Sequence, residues 1–155
     1  MTWKIKQFND LSTYELYQIL QLRCQVFVVE QKCPYLDIDY LDIEADHLFL
    51  EENGETFAYC RLLAPGVSFE EASIGRVLVK EDQRNQGLSY QIMTKAIEFL
   101  FNQKNYPSIK LSGQTYLIDF YKGLGFQPTS SVYLEDNIEH IDLLLNKKLH
   151  NGEKE

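Results

Sequence analysis

The chain has 155 residues, one domain's worth and enough to bury roughly two thirds of its unfolded surface in a single core. A net charge of −8 and a sequence pI near 4.9, with no basic stripe, exclude a nucleic-acid backbone as the expected partner. The 3 cysteines, Cys24, Cys33 and Cys60, are odd in number, widely separated and form no CxxC pair, which excludes a disulfide framework or zinc knuckle and fits a reducing, cytoplasmic setting.

The first stretch, MTWKIKQFND, is charged within its opening residues and leads into an amphipathic segment, so no secretory signal is expected. No apolar run approaches the roughly 20 residues that span a bilayer, and no membrane partner is expected. Apolar residues at Trp3, Ile5 and Phe8 predict a first strand over Trp3 to Phe8. Ser12 with Glu15 is a capping-box pattern, and Leu16, Ile19, Leu20, Cys24 and Phe27 form one stripe of a helix running to about Val29. Pro34 and an acidic loop follow. His47 to Glu51 and Thr56 to Leu63 flank Asn53-Gly54, a strong two-residue hairpin signal.

After the Pro65-Gly66 turn, Ser73 to Val79 predicts a strand, and Leu88, Ile92, Ala96, Phe99 and Leu100 predict a helix over 88–103. A short strand is expected at Ser108 to Leu111, then a short helix from Thr115 to Leu124 stopped by Gly125. Strand candidates near Phe126 to Leu134 and His140 to Lys147 close a domain over residues 1–150, leaving NGEKE as a loose tail. Hairpins first and strand–helix alternation later imply an α+β fold with a mixed sheet and a crossover in its second half.

Between the Ser73 to Val79 strand and the next helix lies Arg84-Asn85-Gln86-Gly87-Leu88-Ser89. That helix has no acidic residue in its first turn, although a helix N-terminus carries unpartnered amides and a partial positive charge. A glycine there lets backbone approach a ligand closely, and phosphate is the natural guest. The stretch is neither a nucleotide P-loop nor a dinucleotide fingerprint, and ordinary turn chemistry is the competing reading.

The pattern resembles the signature of the GNAT acyl-CoA N-acetyltransferases, a VLV strand followed by [RQ]xxGx[GA] at a helix start. Val77, Leu78 and Val79 match the strand, and Arg84, Gly87 and Ser89 fall on the motif, with Ser89 replacing the usual small Gly or Ala. Farther on, Gln114 to Phe126, QTYLIDFYKGLGF, is similar to the family's NxxAxxFYxxxGF segment, with Gln114 in place of the common Asn. The run RCQVFVVEQKCPYLDIDYLDIEADHL, with IGRVLV and YLEDNIEHI, looks like the ElaA-like branch, so the likeness covers roughly residues 23 to 141.

The resemblance implies a mostly antiparallel central β-sheet flanked by helices on both faces in a single domain. It implies acetyl-CoA as co-substrate, its pyrophosphate on the amides of Arg84 to Ser89 and its pantetheine arm along Val77 to Val79, with the Gln114 amide in reach. Tyr121 takes the position that protonates the departing thiolate, a role a phenol in place can fill. The acceptor would be a primary amine of a small molecule or peptide, attacked directly in a ternary complex, and a homodimer is compatible. A catalytically weak acyl-CoA-binding sensor or interaction module is the alternative, kept open by Ser89 and Gln114.

Amine acylation also needs an oxyanion donor and a proton acceptor. The resemblance implies a backbone amide at Val77 or Leu78 for the first. For the second, His47 and His140 both have suitable ordinary pKa values, and Glu44 or Asp46 would serve through water only if burial raised theirs. Asp46, His47 and His140 lack a second spaced ligand pair, so no metal is expected. Arg76, a charge inside an apolar strand, would meet a carboxylate of substrate or of the acidic loop, or simply pair on the surface. Cys33 has no neighbour but Lys32 to lower its pKa and reads as an inert thiol. The clusters Asp37, Asp39, Asp42, Glu44, Asp46 and Glu135, Asp136, Glu139 read either as solvated surface or as a cleft for a cationic amine.

Overall fold

The structure, a computed structural model, describes residues 1–152; of the expected loose tail, residues 153–155 lie outside the described residues. Strand β1 (Thr2–Gln7) leads to helix α1 (Thr13–Arg23), which continues as π-helical turns over Cys24–Glu30. Strands β2 (Asp46–Glu52), β3 (Glu55–Leu63) and β4 (Ala72–Val79) precede helix α2 (Leu88–Glu98), also prolonged by π turns, over Phe99–Gln103. Strand β5 (Ser108–Gln114), a 3-10 turn and helix α3 (Ile118–Gly123) follow. The short strands β6 (Gln127–Pro128) and β7 (Tyr133–Glu135), the long β8 (Ile138–Asn146) and helix α4 (Lys147–His150) complete the chain.

One sheet holds these strands in the order β1-β2-β3-β4-β5-β8-β6, with β7 also on β8. Every pairing is antiparallel except β4 with β5. This is the α+β, mostly antiparallel, helix-flanked arrangement that the resemblance implied. The parallel step arises because α2 carries the chain back across the sheet, the crossover that parallel neighbours require.

Local chemistry explains the elements. Asn53 (φ 52°) and Gly54 (φ 78°) both take left-handed backbone, the type I′ geometry whose twist matches a hairpin. At α1 the Ser12 hydroxyl accepts the Glu15 amide at 3.0 Å while the Glu15 carboxylate accepts the Ser12 amide at 2.9 Å, a completed capping box. The expected strand over Phe126 to Leu134 is instead two pieces, β6 and β7, on one edge of β8. It breaks where the Thr129 amide and Ser130 hydroxyl bond the backbone of Asp142.

Two apolar clusters sandwich the sheet. The larger joins Leu48, Ala58, Ile74, Ile109, Leu111 and Leu143 to Ile92, Met93, Ala96 and Ile97 of α2. The smaller joins Phe49, Tyr59 and Leu78 to Ile19, Leu22 and Val26. The buried residues of the first helix are therefore Glu15, Ile19, Leu22, Arg23 and Val26, whereas Cys24 of the expected stripe is exposed. Two of these are charged, which hydrophobic periodicity does not anticipate.

Candidate active site

The site begins where the sheet comes apart. Arg61 of β3 faces Gly75 and Tyr59 faces Leu78, so Arg76 and Val77 together oppose the single residue Cys60: a β-bulge on β4. Below it, β4 and β5 pair only at Ala72 with Ile109 and Ser73 with Lys110. Strand β5 continues to Gln114 with β8 alone, in a register that ends at Gln114 with His140. Past Ser73 the two central strands thus diverge, and a wedge opens whose walls are the unpaired inner edges of Ile74–Val79 and Leu111–Gln114. Backbone N–H and C=O groups on such edges are obligatory hydrogen-bonding groups without a strand neighbour.

At the outer end of β4 the chain passes a 3-10 turn over Glu81–Gln83 and reaches Arg84, whose Nε donates to the Val79 carbonyl at 2.9 Å and whose Nη2 donates to Glu30 Oε2 at 2.8 Å. Arg84 so ties the loop to β4 and to the end of the first helix. Asn85 (φ 65°) and Gly87 (φ 76°) turn the backbone left-handed before α2. Among the described residues the amides of Asn85, Gln86 and Gly87 donate to no protein group. Helix α2 has no side-chain cap and no acidic residue in its first turn, in contrast to α1 with its capping box. Asn85, Gln86, Gly87 and Ser89 are exposed, while Leu88 anchors the helix in the core. A cluster of unpartnered amides at a helix N-terminus is an anion cradle.

Tyr121 lies across the wedge on α3 and is 8 % exposed. Its ring meets Phe120 and Phe126 edge-on, with centroids 5.4 and 6.1 Å away. The ring packs flat on β5 because residue 113 is glycine: a Cβ there would stand 2.7 Å from Tyr121 Cε2. Burial, with a smaller effect of the neighbouring Tyr116, pushes the Tyr121 phenol up to about 12, so it keeps its proton at neutral pH.

The two histidines differ sharply. His47 is 0 % exposed. Its Nε2 donates to the Asp42 carbonyl at 2.9 Å, and its Nδ1 accepts the Tyr59 hydroxyl at 2.7 Å, a pattern that one neutral tautomer satisfies in full. Burial lowers its pKa. His140 lies on β8, one strand beyond the wedge, paired in register with Gln114 at the end of β5 on one side and with Tyr133 on the other. Its Nδ1 is 2.7 Å from the Ile138 carbonyl, which assigns the proton to Nδ1, and Nε2 points to Glu135 Oε2 at 3.5 Å. Neighbouring Ile141 and Gly113 face the large core, so strand alternation puts His140 and Gln114 on the opposite face from Tyr121. Ser112, Tyr133 and Asp142 form a hydrogen-bonded chain there; Tyr133 donates to Asp142 Oδ1 at 2.6 Å and also contacts the Ser112 hydroxyl.

Composition and periodicity missed the densest polar structure in the molecule. Arg23, 0 % exposed, donates from Nε to Asp37 at 2.8 Å, from Nη2 to the Asp37 carbonyl at 3.0 Å and from Nη1 to Asp42 at 2.5 Å. Arg61 grips Asp39 with two bonds of 2.8 and 3.0 Å and reaches Asp42 at 3.0 Å. Arg76 lies 2.7 Å from Asp37 and 3.4 Å from Asp39. The acidic loop is therefore neither a solvated surface nor a free cationic-amine cleft at Asp37, Asp39 and Asp42: three arginines neutralise three aspartates. Arg76 meets the loop carboxylates, one of its anticipated partners. The available signal was the alternation of LDIDYLDI, in which Asp37, Asp39 and Asp42 turn inward while Leu36, Ile38, Tyr40 and Ile43 stay exposed.

Comparison with known proteins agrees with this architecture. The profile of the acetyltransferase (GNAT) family matches residues 13–126. Protein ElaA of Escherichia coli (strain K12) is 41 % identical over 143 residues, covering 91 % of this chain and 94 % of its own. The crystal structure of Escherichia coli ElaA superposes with a TM-score of 0.87 at 39 % identity, covering 94 % of this chain and 100 % of that one. An acyl-CoA N-acyltransferase from Pseudomonas aeruginosa superposes with a TM-score of 0.88 at 40 % identity, covering 93 % of this chain and 98 % of that one.

Proposed function

The chain belongs to the acetyltransferase (GNAT) family, in its ElaA-like branch, and is an acyl-CoA-dependent acyltransferase; from that premise we propose that it moves an acetyl group from acetyl-CoA directly to a primary amine within a ternary complex, in the cytoplasm. The single observation that carries this reading is the wedge between β4 and β5, with bare amides at its outer end and Tyr121 against its inner wall.

In this reading the amides of Asn85 to Ser89 hold the pyrophosphate, Arg84 keeps the loop in shape, and the open β4 edge at Val77 to Val79 pairs with the amide groups of the pantetheine arm. Coenzyme A then threads the wedge from the side of α2 and α3. The acceptor amine arrives from the other face, where His140, Gln114 and Tyr133 lie. The neutral amine attacks the thioester carbonyl, and the oxyanion is held by an amide of Val77 or Leu78, one of the largest contributions available in such a site. The C–S bond breaks and Tyr121 gives its proton to the thiolate. His140 Nε2, with Glu135 beside it, takes the amine's surplus proton through water. His47 has both nitrogens engaged inside the protein and serves instead to join Tyr59 to the acidic loop.

A panel of amines assayed for thiol release with acetyl-CoA tests the function. At least one acceptor is expected to give turnover, and Tyr121→Phe is expected to lower it about 10²- to 10⁴-fold, the range of general acid catalysis, without weakening acetyl-CoA binding. Turnover equal to the parent's would remove Tyr121 from the mechanism. Stabilisation by acetyl-CoA with no thiol release across the panel would favour a binding module.

A further inference from the structure

Arg76 has no place in the scheme above, yet its backbone is the most unusual in the sheet. In a bulge of this kind the left-handed position is ordinarily glycine, which has no Cβ to collide with the following carbonyl. Here glycine stands next door at position 75, and Arg76 itself takes φ 52°. A long side chain held left-handed inside a strand costs free energy, and such conformations persist only where surrounding contacts over-determine them.

The acidic loop supplies such contacts. Arg76 Nη2 donates to the Asp37 carbonyl at 3.1 Å and to Asp39 Oδ2 at 3.4 Å. Its Nε stands 2.7 Å from Asp37 Oδ1 as a charge contact, the N–H being turned off the oxygen. Its guanidinium lies over the Tyr35 ring, 5.7 Å from the centroid, and Tyr35 Oη donates to the same Asp37 carboxylate at 2.8 Å. The receiving loop cannot follow the strand, because Arg23 grips Asp37 and Arg61 grips Asp39 independently. Arg76 adds little to the loop's own security: its attraction to Asp39 is screened by water, the two side chains being 23 % and 27 % exposed, and Asp37 is already held by two bonds from Arg23. What it does alone is fasten one residue of the bulge to a rigid frame.

We infer that Arg76 is a positioning residue: clamped by Asp37 and Asp39, it fixes the β4 bulge in the conformation that aims a Val77 or Leu78 amide at the thioester carbonyl. This rests on the reading of the wedge as the acetyl-CoA site. Bond making and proton transfer stay as described; the clamp sets only where the oxyanion donor points. It should therefore act on the acyl carbonyl and leave the pyrophosphate and pantetheine contacts untouched.

The test uses acetyl-CoA labelled with carbon-13 at the carbonyl, bound to the parent, Arg76→Gly and Arg76→Ala, with coenzyme A affinity measured by calorimetry. In the parent the carbonyl resonance is expected to move downfield on binding, as a hydrogen-bonded thioester does. In both variants coenzyme A affinity is expected to be unchanged while most of that shift is lost, since alanine resists φ 52° and glycine, free to enter it, is equally free to leave once the clamp is gone; turnover with an acceptor found in the panel is expected to fall about 10²-fold, the scale of one lost oxyanion donor. Should Arg76→Ala fail to fold, Arg76→Gly carries the test, because glycine enters φ 52° freely. A parent-like shift in Arg76→Gly overturns the inference, as does a fall in coenzyme A affinity that matches the fall in turnover. A parent that binds acetyl-CoA without any carbonyl shift also overturns it, yet leaves the acetyl-CoA site standing. A parent that binds neither ligand removes the site and the inference together.

Discussion

Tyr121 owes its place to a residue on another strand. Gly113 gives the phenol ring a flat seat on β5, where a methyl group would stand 2.7 Å from Tyr121 Cε2 and 3.1 Å from Leu143 Cδ1. Phe120 and Phe126 leave the ring nowhere to retreat. Gly113→Ala is expected to cost about 1–3 kcal/mol of stability through overpacking and to lower turnover by moving the acid, while acetyl-CoA binding persists; a denaturant melt and steady-state kinetics check both halves. His47 makes a pH prediction. Its pKa in the folded state lies below the ordinary value of 6.5, chiefly through burial, so the folded protein binds fewer protons than the unfolded chain as acid is added. Stability from His47 is full above pH 6.5 and is lost as the pH falls through its depressed folded pKa. Asp39 and Glu15, also lowered, act only below their ordinary values of 3.8 and 4.5. Urea midpoints followed from pH 7.5 to 5 should therefore fall in the parent, and should fall less in His47→Gln.

At the scale of elements, sequence and structure part company most clearly on the first helix. Its start was legible because the capping box is a local exchange between Ser12 and Glu15. Its buried face was not, because Arg23 is recognised as an interior residue only once Asp37 and Asp42, 14 and 19 positions away, fold back onto it. Arg23→Met is expected to cost about 3 kcal/mol, since it removes the fully buried member of the network and leaves Asp37 to Arg76 and Asp42 to Arg61 alone; a chemical-denaturation curve measures it. The strand after Gly125 failed for a related reason. The breaks at Thr129 and Ser130 are set by bonds to Asp142 on β8, which no window of adjacent residues contains. By contrast, the segment 88–103 was readable end to end, because helix and π turns alike keep Leu88, Ile92, Ala96, Phe99 and Leu100 in the core.

For the molecule as a whole, the proposed site is a defect in an otherwise continuous sheet. Sheet order, bulge and crossover combine to leave two strand edges unpaired inside the protein, and acetyl-CoA is expected to complete the ladder on β4. Acetyl-CoA at about 100 times its Kd should raise stability by about 2.7 kcal/mol. Hydrogen exchange should slow at Val77 to Val79 and at Asn85 to Tyr90; protection confined to the first group would move the pyrophosphate away from the Gly87 turn. The sequence by itself determined the elements whose cause is local: the Asn53-Gly54 hairpin, the capped first helix, the glycine turn into α2, and Phe120-Tyr121 followed by Gly125. The family motifs carried the cofactor assignment because the proposed phosphate recognition uses backbone amides that one short stretch supplies. Only the tertiary structure decided which histidine is sealed, where the acidic loop's charges go, and why Arg76 turns left-handed. Those depend on partners far apart in the chain, and a charge's behaviour is fixed by what surrounds it in space.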